Sequence, residues 1–333
     1  MPDATPAAGS TKKPSSLKQS LRRVVQNQWF LLLIVVLLIS IVTGLGNPRF
    51  FVKENLINIL EQISVLGLVA AGATILIISG NFDISVGSMI GLSASAMAIL
   101  MNEGINDVVA SLIGILICIV CSSLNGFMSI LFRTPSFIVS LATLGVYHGL
   151  ALAITGGVIQ TIYGRFEWIA KTKLLGVLPL LFFISIAGYL LVHFILTYTQ
   201  LGRRIFAIGA NPRAAFLAGI NVELNKVIFF AVNGFLVGVA AVLILSRLGA
   251  ALPSTGAGLE LRAIGAVVIG GVPITGGAGN VLGTFLGVLL MGVISNSLNM
   301  LRVNPYLQEM IFGLLILLAL AISSIRYRWF GAK

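Results

Sequence analysis

The feature that most constrains this chain is the recurrence of long apolar segments along nearly all of its length after residue 28. Only 9% of the residues are charged, whereas an ordinary soluble domain carries about 25%. Many segments approach the roughly 20 residues that a helix needs to cross a bilayer. They lie at 29–45, 57–79, 85–101, 108–131, 136–155, 176–198, 227–247, 263–275, 281–300 and 306–325. The sequence therefore predicts an all-α, polytopic membrane protein with about ten transmembrane helices.

The parts of the chain outside these spans predict its orientation. Residues 1–28 are rich in Ser, Pro, Ala and Lys, which predicts a disordered tail. Residues 29–325 form the transmembrane domain with a polar loop at 199–226, and residues 326–333 form a second tail. Basic residues gather in both tails and in the loop, as is typical of the cytoplasmic side. Both termini are therefore predicted to be cytoplasmic, and the net charge of +11 reflects orientation in lipid rather than nucleic-acid binding.

One carboxylate stands between two strongly apolar segments, in the stretch SGNFDISVGSMIG at 79–91. An ionised carboxylate is costly in hydrocarbon unless it is capped, paired or hydrated. Asp83, together with Asn81 and Ser85, either caps the following helix through amides near Ser85 and Val86 or lines a polar translocation path. The sequence leaves both interpretations open.

Two pairs of glycines begin two of the predicted spans in the same pattern. Gly87 and Gly91 match Gly283 and Gly287, and each pair fits G-x-x-x-G, which lets helices approach closely. The second pair follows the glycine-rich run VIGGVPITGGAGN, which suggests a phosphate-binding loop. A Walker A loop needs a lysine directly before its Ser or Thr, however, and Leu282-Gly283-Thr284 stands in that place, so we expect no ATP to bind there.

The polar loop contains the signals of a short cytoplasmic helix. Asn211 is a favourable N-cap, and Gly219 is a favourable stop, which predicts a helix from Arg213 to Ala218. A helix this short is not stable alone. It therefore needs a partner surface, either within its own bundle or on another subunit.

The sequence gives no support for an enzyme. No Ser-His-Asp spacing, metal-ligand cluster or paired carboxylates occur, and Cys118 and Cys121 have no second cysteine pair with which to bind a metal. A catalytic site within the membrane is therefore disfavoured, and no cofactor is expected on this chain.

Four stretches, in order, resemble the permease subunits of ribose-, xylose-, arabinose- and galactose-type ATP-binding-cassette importers. They are SGNFDISVGSMIGLSA, TPSFIVSLATLGVYHGLALAITGG, GRRIFAIGANPRAAFLAGINV and LRAIGAVVIGGVPITGGAGNVLGTFLG, and the resemblance covers about residues 45 to 325. The chain departs from the family pattern at Asn81, at 272–274 and at Ala278. These departures bear on the identity of the substrate more than on the class of protein.

The resemblance implies a ten-span permease in the bacterial cytoplasmic membrane that translocates a monosaccharide or related polyol. It would pair with a second copy or a sister permease, with ATP on two separate ATPase subunits inside and a sugar-binding protein outside. The short helix would couple to the ATPase through Asn211, Ala214, Ala215 and Gly219. The alternatives are an ion-coupled secondary transporter, a related permease for branched-chain amino acids or a sugar-like signalling molecule, and a passive channel.

Overall fold

The computed structural model describes residues 28–174 and 176–330, with side chains for residues 29–174 and 176–321. The helices are α1 (Gln28–Gly46), α2 (Lys53–Ile78), α3 (Val86–Asn102), α4 (Asp107–Leu131), α5 (Ser136–Thr155), α6 (Trp168–Lys171), α7 (Leu180–Tyr198), α8 (Gln200–Ala210), α9 (Pro212–Leu217), α10 (Val222–Leu248), α11 (Leu259–Ile269), α12 (Val281–Met300) and α13 (Pro305–Phe330). A 3-10 helix spans Pro48–Phe51, and the two-residue strands are β1 (Gln160–Thr161), β2 (Lys173–Leu174), β3 (Leu178–Pro179) and β4 (Ala250–Ala251).

The prediction of an all-α membrane protein is confirmed. Among the described residues, seven helices are long and apolar enough to cross a membrane, namely α1, α2, α4, α5, α7, α10 and α12. Helix α3 and the stretch Pro305–Ala321 of α13 are apolar but shorter. The predicted tail at 1–28 falls almost wholly outside the described residues, and α13 continues through Phe330 into the segment assigned to the C-terminal tail.

The predicted eighth span at 263–275 is wrong in its bounds. Helix α11 begins at Leu259 and ends at Ile269, after only 11 residues. Residues 270–280 form a loop in which Gly271 (φ 97°), Gly276 (φ 78°) and Gly277 (φ 75°) adopt left-handed backbone conformations. A right-handed helix cannot continue through this backbone, so the apolar pattern extended further than the helix does.

The loops gather at two ends of the bundle. At one end β1 pairs antiparallel with β4, and Asn102 Nδ2 donates to the Thr161 carbonyl at 3.1 Å. We call this the strand end; it contains the loops at 102–107 and 156–179, the start of α2 and the ends of α10 and α12. The opposite, hairpin end contains the loops at 79–85, 132–135, 199–221 and 270–280, where the Gly277 amide donates to the Ile78 carbonyl at 2.8 Å.

Helix α2 is the centre of the bundle. Of its most apolar 18 residues 83% are buried, against 17% for α1, which lies on the outside of the bundle. Helices α7, α10, α11 and α12 surround α2. The most extensive helix contact is that of α4 with α10, where Gly234 and Gly238 bring the backbones together: a Cβ at either glycine would lie within 2.7 Å of a backbone atom of α4.

Residues 252–258 turn back from the strand end into the bundle. A Cβ at Gly87 would lie 2.6 Å from the Gly256 carbonyl oxygen, and one at Gly91 would lie 3.1 Å from the Pro253 carbonyl carbon. Gly87 is about 22 Å along α3 from Asn102, at 1.5 Å per residue. Helix α11 therefore begins deep in the bundle and ends at the hairpin end, which explains why it is so short.

Candidate functional site

Asp83 is buried in the hairpin between α2 and α3, and hydrogen-bond donors surround its carboxylate. Its Oδ1 accepts from the Ser85 amide (3.1 Å), the Ser85 hydroxyl (2.6 Å) and Asn125 Nδ2 (3.2 Å). Its Oδ2 accepts from the Ser122 hydroxyl (3.0 Å) and from Asn233 Nδ2 (3.4 Å). Among the described residues, no Lys, Arg or His forms an ion pair with Asp83. Its partners, at Ser85 and on α4 and α10, are therefore all neutral donors.

The same network continues into α5 through Asn125. Asn125 Oδ1 accepts from the Thr143 hydroxyl at 2.8 Å and from the Tyr147 hydroxyl at 3.0 Å. Asn233 Nδ2 also donates to the Ser122 hydroxyl at 3.1 Å. One hydrogen-bonded cluster thus connects Asp83 to α4, α5 and α10, and its members specify one arrangement of these helices because an unpaired polar group would be costly at this depth.

Asn81 and Ser85 lie on either side of Asp83 but have different contacts. Ser85 precedes α3 as its N-cap residue, with no side-chain bond to the helix amides. Asn81 Oδ1 instead accepts from the Ser136 hydroxyl at 3.3 Å. Asp83 accepts from the Ser85 amide, as the cap interpretation expects, yet most of its donors come from side chains, including three on other helices.

Two serines of α5 that sequence reasoning missed hold this hairpin in place. The Phe82 amide donates to Ser136 Oγ at 3.1 Å, and the Ile84 amide donates to Ser140 Oγ at 3.0 Å. Their spacing of four residues places them on one face of α5. That spacing in TPSFIVS was the available signal, although only the fold shows which loop faces it.

The four glycines of the repeated pattern all lie against backbone of the segment 253–270. Gly91 faces the re-entrant residues 253–255, which are not helical, whereas Gly87 faces both Gly256 and Glu260 in the first turn of α11. Gly283 and Gly287 pack on the last turns of α11, where a Cβ at Gly287 would lie 2.9 Å from the Ala266 carbonyl carbon. The two halves of the pattern therefore hold opposite ends of the same segment.

Helix α9 projects from the hairpin end as the sequence predicts. Asn211 Oδ1 accepts from the amides of Arg213 and Ala214, both at 3.0 Å. Gly219 follows the helix with φ 84°, a conformation that favours glycine. Ala215 is buried against the protein, whereas Phe216 is 68% and Leu217 81% exposed.

Backbone contacts join α9 to both hairpins. Gly209, two residues before the cap, lies so close to Ile78 that a Cβ would overlap the Ile78 carbonyl oxygen, and it would lie 2.7 Å from the Gly277 amide nitrogen. A Cβ on Gly277 would in turn lie 2.8 Å from the Ala210 Cα. We call this contact of Ile78, Gly209, Ala210 and Gly277 the glycine junction. It connects the segment before α9 to the loops that precede α3 and α12.

The described part of the chain holds no group of three or more His, Cys, Asp or Glu side chains placed to bind a metal ion. Both cysteines are free thiols, Cys118 buried and Cys121 half-buried in α4. The polar side chains near Asp83 are amides and hydroxyls, which donate and accept hydrogen bonds.

The sequence pattern of a family described as "Branched-chain amino acid transport system / permease component" matches residues 55–320. The chain belongs to this permease family. It is 36% identical to the ribose import permease protein RbsC of Bacillus subtilis over 88% of this chain and 90% of that protein. It is 33% identical to RbsC of Escherichia coli K12, over 91% and 97% of the two chains.

Two further relatives are permeases named for other solutes. The D-allose transport system permease protein AlsC of Escherichia coli is 32% identical over 87% of this chain and 89% of its own length. The autoinducer 2 import system permease of Yersinia pseudotuberculosis is 32% identical, over 86% and 81%. A search of the solved structures finds no match to the chain. The permease is thus a multi-pass membrane protein with a transport role rather than an enzymatic one.

Proposed function

We propose that this permease is the membrane subunit of an ATP-binding-cassette importer that translocates a monosaccharide. The observation that carries the proposal is the exposed apolar tip of α9, in a chain that is similar over about nine tenths of its length to ribose import permeases. An exposed Phe216 and Leu217 next to a fixed cap form a docking surface for another protein. ATP is bound and hydrolysed on that partner, and this chain carries no cofactor.

The proposed topology has ten passes with both termini in the cytoplasm. The seven long helices, α3 and α13 account for nine, and α11 with the re-entrant residues 252–258 forms the tenth. The hairpin end then faces the cytoplasm and the strand end faces outward. Two ATPase subunits dock at the hairpin end of a permease pair, formed with a second copy or a sister permease, and a sugar-binding protein docks at the strand end.

The glycine junction offers a direct route for coupling. In this mechanism, movement of α9 on the ATPase displaces Gly209 and Ala210, which abut Ile78 and Gly277 without intervening side chains. The displacement therefore reaches the hairpins before α3 and α12 together. Asn211 fixes the start of α9, Ala214 lets the partner approach its exposed face, and Ala215 and Gly219 hold it against the protein.

Asp83, on this account, is a structural centre of the moving hairpin. Its burial and its five donors support that role, because a carboxylate with all its acceptor positions used has little capacity left for a sugar. Asn81 and Ser85 support the same hairpin. An ion-coupled mechanism would require Asp83 to exchange its neutral partners for a cation.

A second candidate substrate is a sugar-like signalling molecule, which the similarity to the autoinducer 2 permease favours. The mechanism is the same for either substrate. The binding protein and the cavity chemistry, rather than the fold, distinguish them.

The test is uptake of radiolabelled D-ribose, D-allose and autoinducer 2 into proteoliposomes that contain the permease, its cognate ATPase and its binding protein. We expect uptake only when all three proteins and internal ATP are present. A Phe216→Asp variant should lose the ATPase, and with it uptake, because it places a charge at the docking surface. Phe51→Asp places the same charge at the strand end and should keep the ATPase attached. Uptake by the permease alone without ATP contradicts the proposal.

A further inference from the structure

A cavity of about 240 Å³ lies between α2, α10, α11, α12 and α13. Its polar lining comes from Gln62, Arg247, Arg262, Ser295 and Asn299, and its apolar lining includes Val65, Leu66, Met291 and Phe312. Asn299 lies in the last turn of α12, at the strand end. Leu66 is about 20 Å along α2 from its start, so the cavity extends from the strand end to the middle of the bundle.

The depth of the cavity coincides with the interrupted part of the fold. Leu259 and Arg262 belong to the first turn of α11, which begins inside the bundle after the re-entrant residues 252–258. In transporters, solute sites lie near the midplane where helices are discontinuous. The cavity therefore lies beside such a discontinuity, namely the re-entrant residues 252–258 that precede α11.

The charges around the cavity are already balanced. Arg247 Nε lies 3.3 Å from Glu61 Oε2, and Arg247 Nη2 donates to Asn58 at 2.7 Å. Arg262 forms an ion pair with Glu309 and stacks over the Phe312 ring at 4.5 Å. Each guanidinium therefore has a carboxylate partner, which leaves no net positive charge to attract an anionic solute.

The groups left to bind a solute are neutral side chains and the buried Nε–H of Arg262, which has no hydrogen-bond partner within the described residues. Ser295 makes no hydrogen bond within the part of the chain that the structure describes, and the Gln62 amide has only a long bond of 3.4 Å to Asn58. Met291 and Leu66 provide apolar contact for the C–H groups of a sugar ring. The volume is below the roughly 300–1,000 Å³ of pockets for drug-sized ligands, which fits one sugar ring better than two.

We propose that this cavity within the protomer binds a single neutral monosaccharide on its path from the strand end. Gln62 and Ser295 hydrogen-bond the sugar hydroxyls, while Arg247 and Arg262 stay paired with their carboxylates. The inference rests on the proposed function and adds a site within each permease chain. It assigns Ser295, on α12, as a residue that contacts the solute.

The direct test is protection of a thiol from labelling. Ser295→Cys is made in a background with Cys118→Ala and Cys121→Ala, and the complete complex in proteoliposomes is treated with a small methanethiosulfonate. D-Ribose or D-allose should slow the labelling at least threefold. Glu103→Cys, exposed at the strand end outside the cavity, is the matched control and should show no protection.

A second variant measures the consequence for transport. Ser295→Leu fills the cavity and should lower uptake at least tenfold, while the ATPase and binding protein remain attached. Gly145→Leu adds a larger side chain at a position with no atom within 4 Å and should leave uptake unchanged. The inference is overturned if neither D-ribose nor D-allose slows the labelling of the cysteine at position 295. It is also overturned if ribose 5-phosphate alone protects that cysteine. If wild-type uptake of every sugar fails, the proposed function is at fault instead.

Discussion

At the hairpin end, Ile78, Gly209 and Gly277 meet through backbone atoms, whereas charged side chains join neighbouring segments in the half of the bundle nearer the strand end. Arg165 pairs with Asp107 at 2.7 Å, Arg247 with Glu61 at 3.3 Å, and Arg262 with Glu309. Backbone contacts have no rotamers with which to absorb a displacement. Partly exposed ion pairs contribute only about 0–1 kcal/mol each and can separate and re-form. We therefore infer that the hairpin end transmits movement and that the strand end opens.

The largest effect should follow from a side chain at the glycine junction. Gly209→Val puts a Cβ onto the Ile78 carbonyl, so we expect a loss of at least about 3 kcal/mol of unfolding free energy and uptake at background. Thermal unfolding of the purified protein and uptake by the reconstituted complex measure the two effects.

The control is Gly149→Val, since no atom lies within 4 Å of a Cβ at that position. It should match the wild-type protein in both assays. If Gly209→Val also matched the wild type, the hairpin end would not be the rigid contact described.

The next largest effect should come from Asp83. Asp83→Leu removes the shared acceptor of Ser122, Asn125 and Asn233 and leaves buried N–H and O–H groups unpaired, which costs about 3 kcal/mol or more. Asp83→Asn keeps one acceptor oxygen and should lose less. The unfolding temperature of each variant in detergent provides the measurement.

The same two variants separate the interpretations that the sequence leaves open. A structural role predicts that uptake falls in proportion to stability and is partly restored by Asp83→Asn. A protein that keeps its unfolding temperature yet transports nothing after Asp83→Leu would instead place Asp83 on the translocation path.

Much of the fold follows from local patterns. The spans at 136–155 and 281–300 match α5 and α12 in both bounds, because apolar length determines a membrane helix. The cap at Asn211 and the stop at Gly219 are also local signals. The prediction of the eighth span at 263–275 was wrong because apolar residues continue past Ile269, whereas the left-handed backbone of the following glycines ends the helix there.

The long-range part of the site could not be predicted from the sequence. Three of the five donors to Asp83 lie on α4 and α10, about 40 and 150 positions away, and no local pattern relates them. The re-entrant residues 252–258 resemble an ordinary loop, although the glycines at 256 and 258 were a signal of an unusual turn. The cavity exists only when five helices meet.

A smaller effect should follow from a change at the strand end. Glu309→Gln removes the ion-pair partner of Arg262, and because Glu309 is mostly exposed, we expect less than about 1 kcal/mol of destabilisation. Uptake should stay within about threefold of wild type. A loss as large as that of Gly209→Val, in either unfolding or uptake, would remove the distinction between the two ends.

Distances between pairs of spin labels, measured by pulsed electron paramagnetic resonance with and without ATP, test the central claim most directly. One pair occupies Leu217 on α9 and Thr275 in the loop before α12, and the other occupies Tyr163 and Tyr306 at the strand end. All four positions are exposed, and labelled permease is diluted with unlabelled copies in the complete complex. The account predicts an unchanged distance at the hairpin end and a shifted one at the strand end. A shift between Leu217 and Thr275 with a fixed strand end would contradict it.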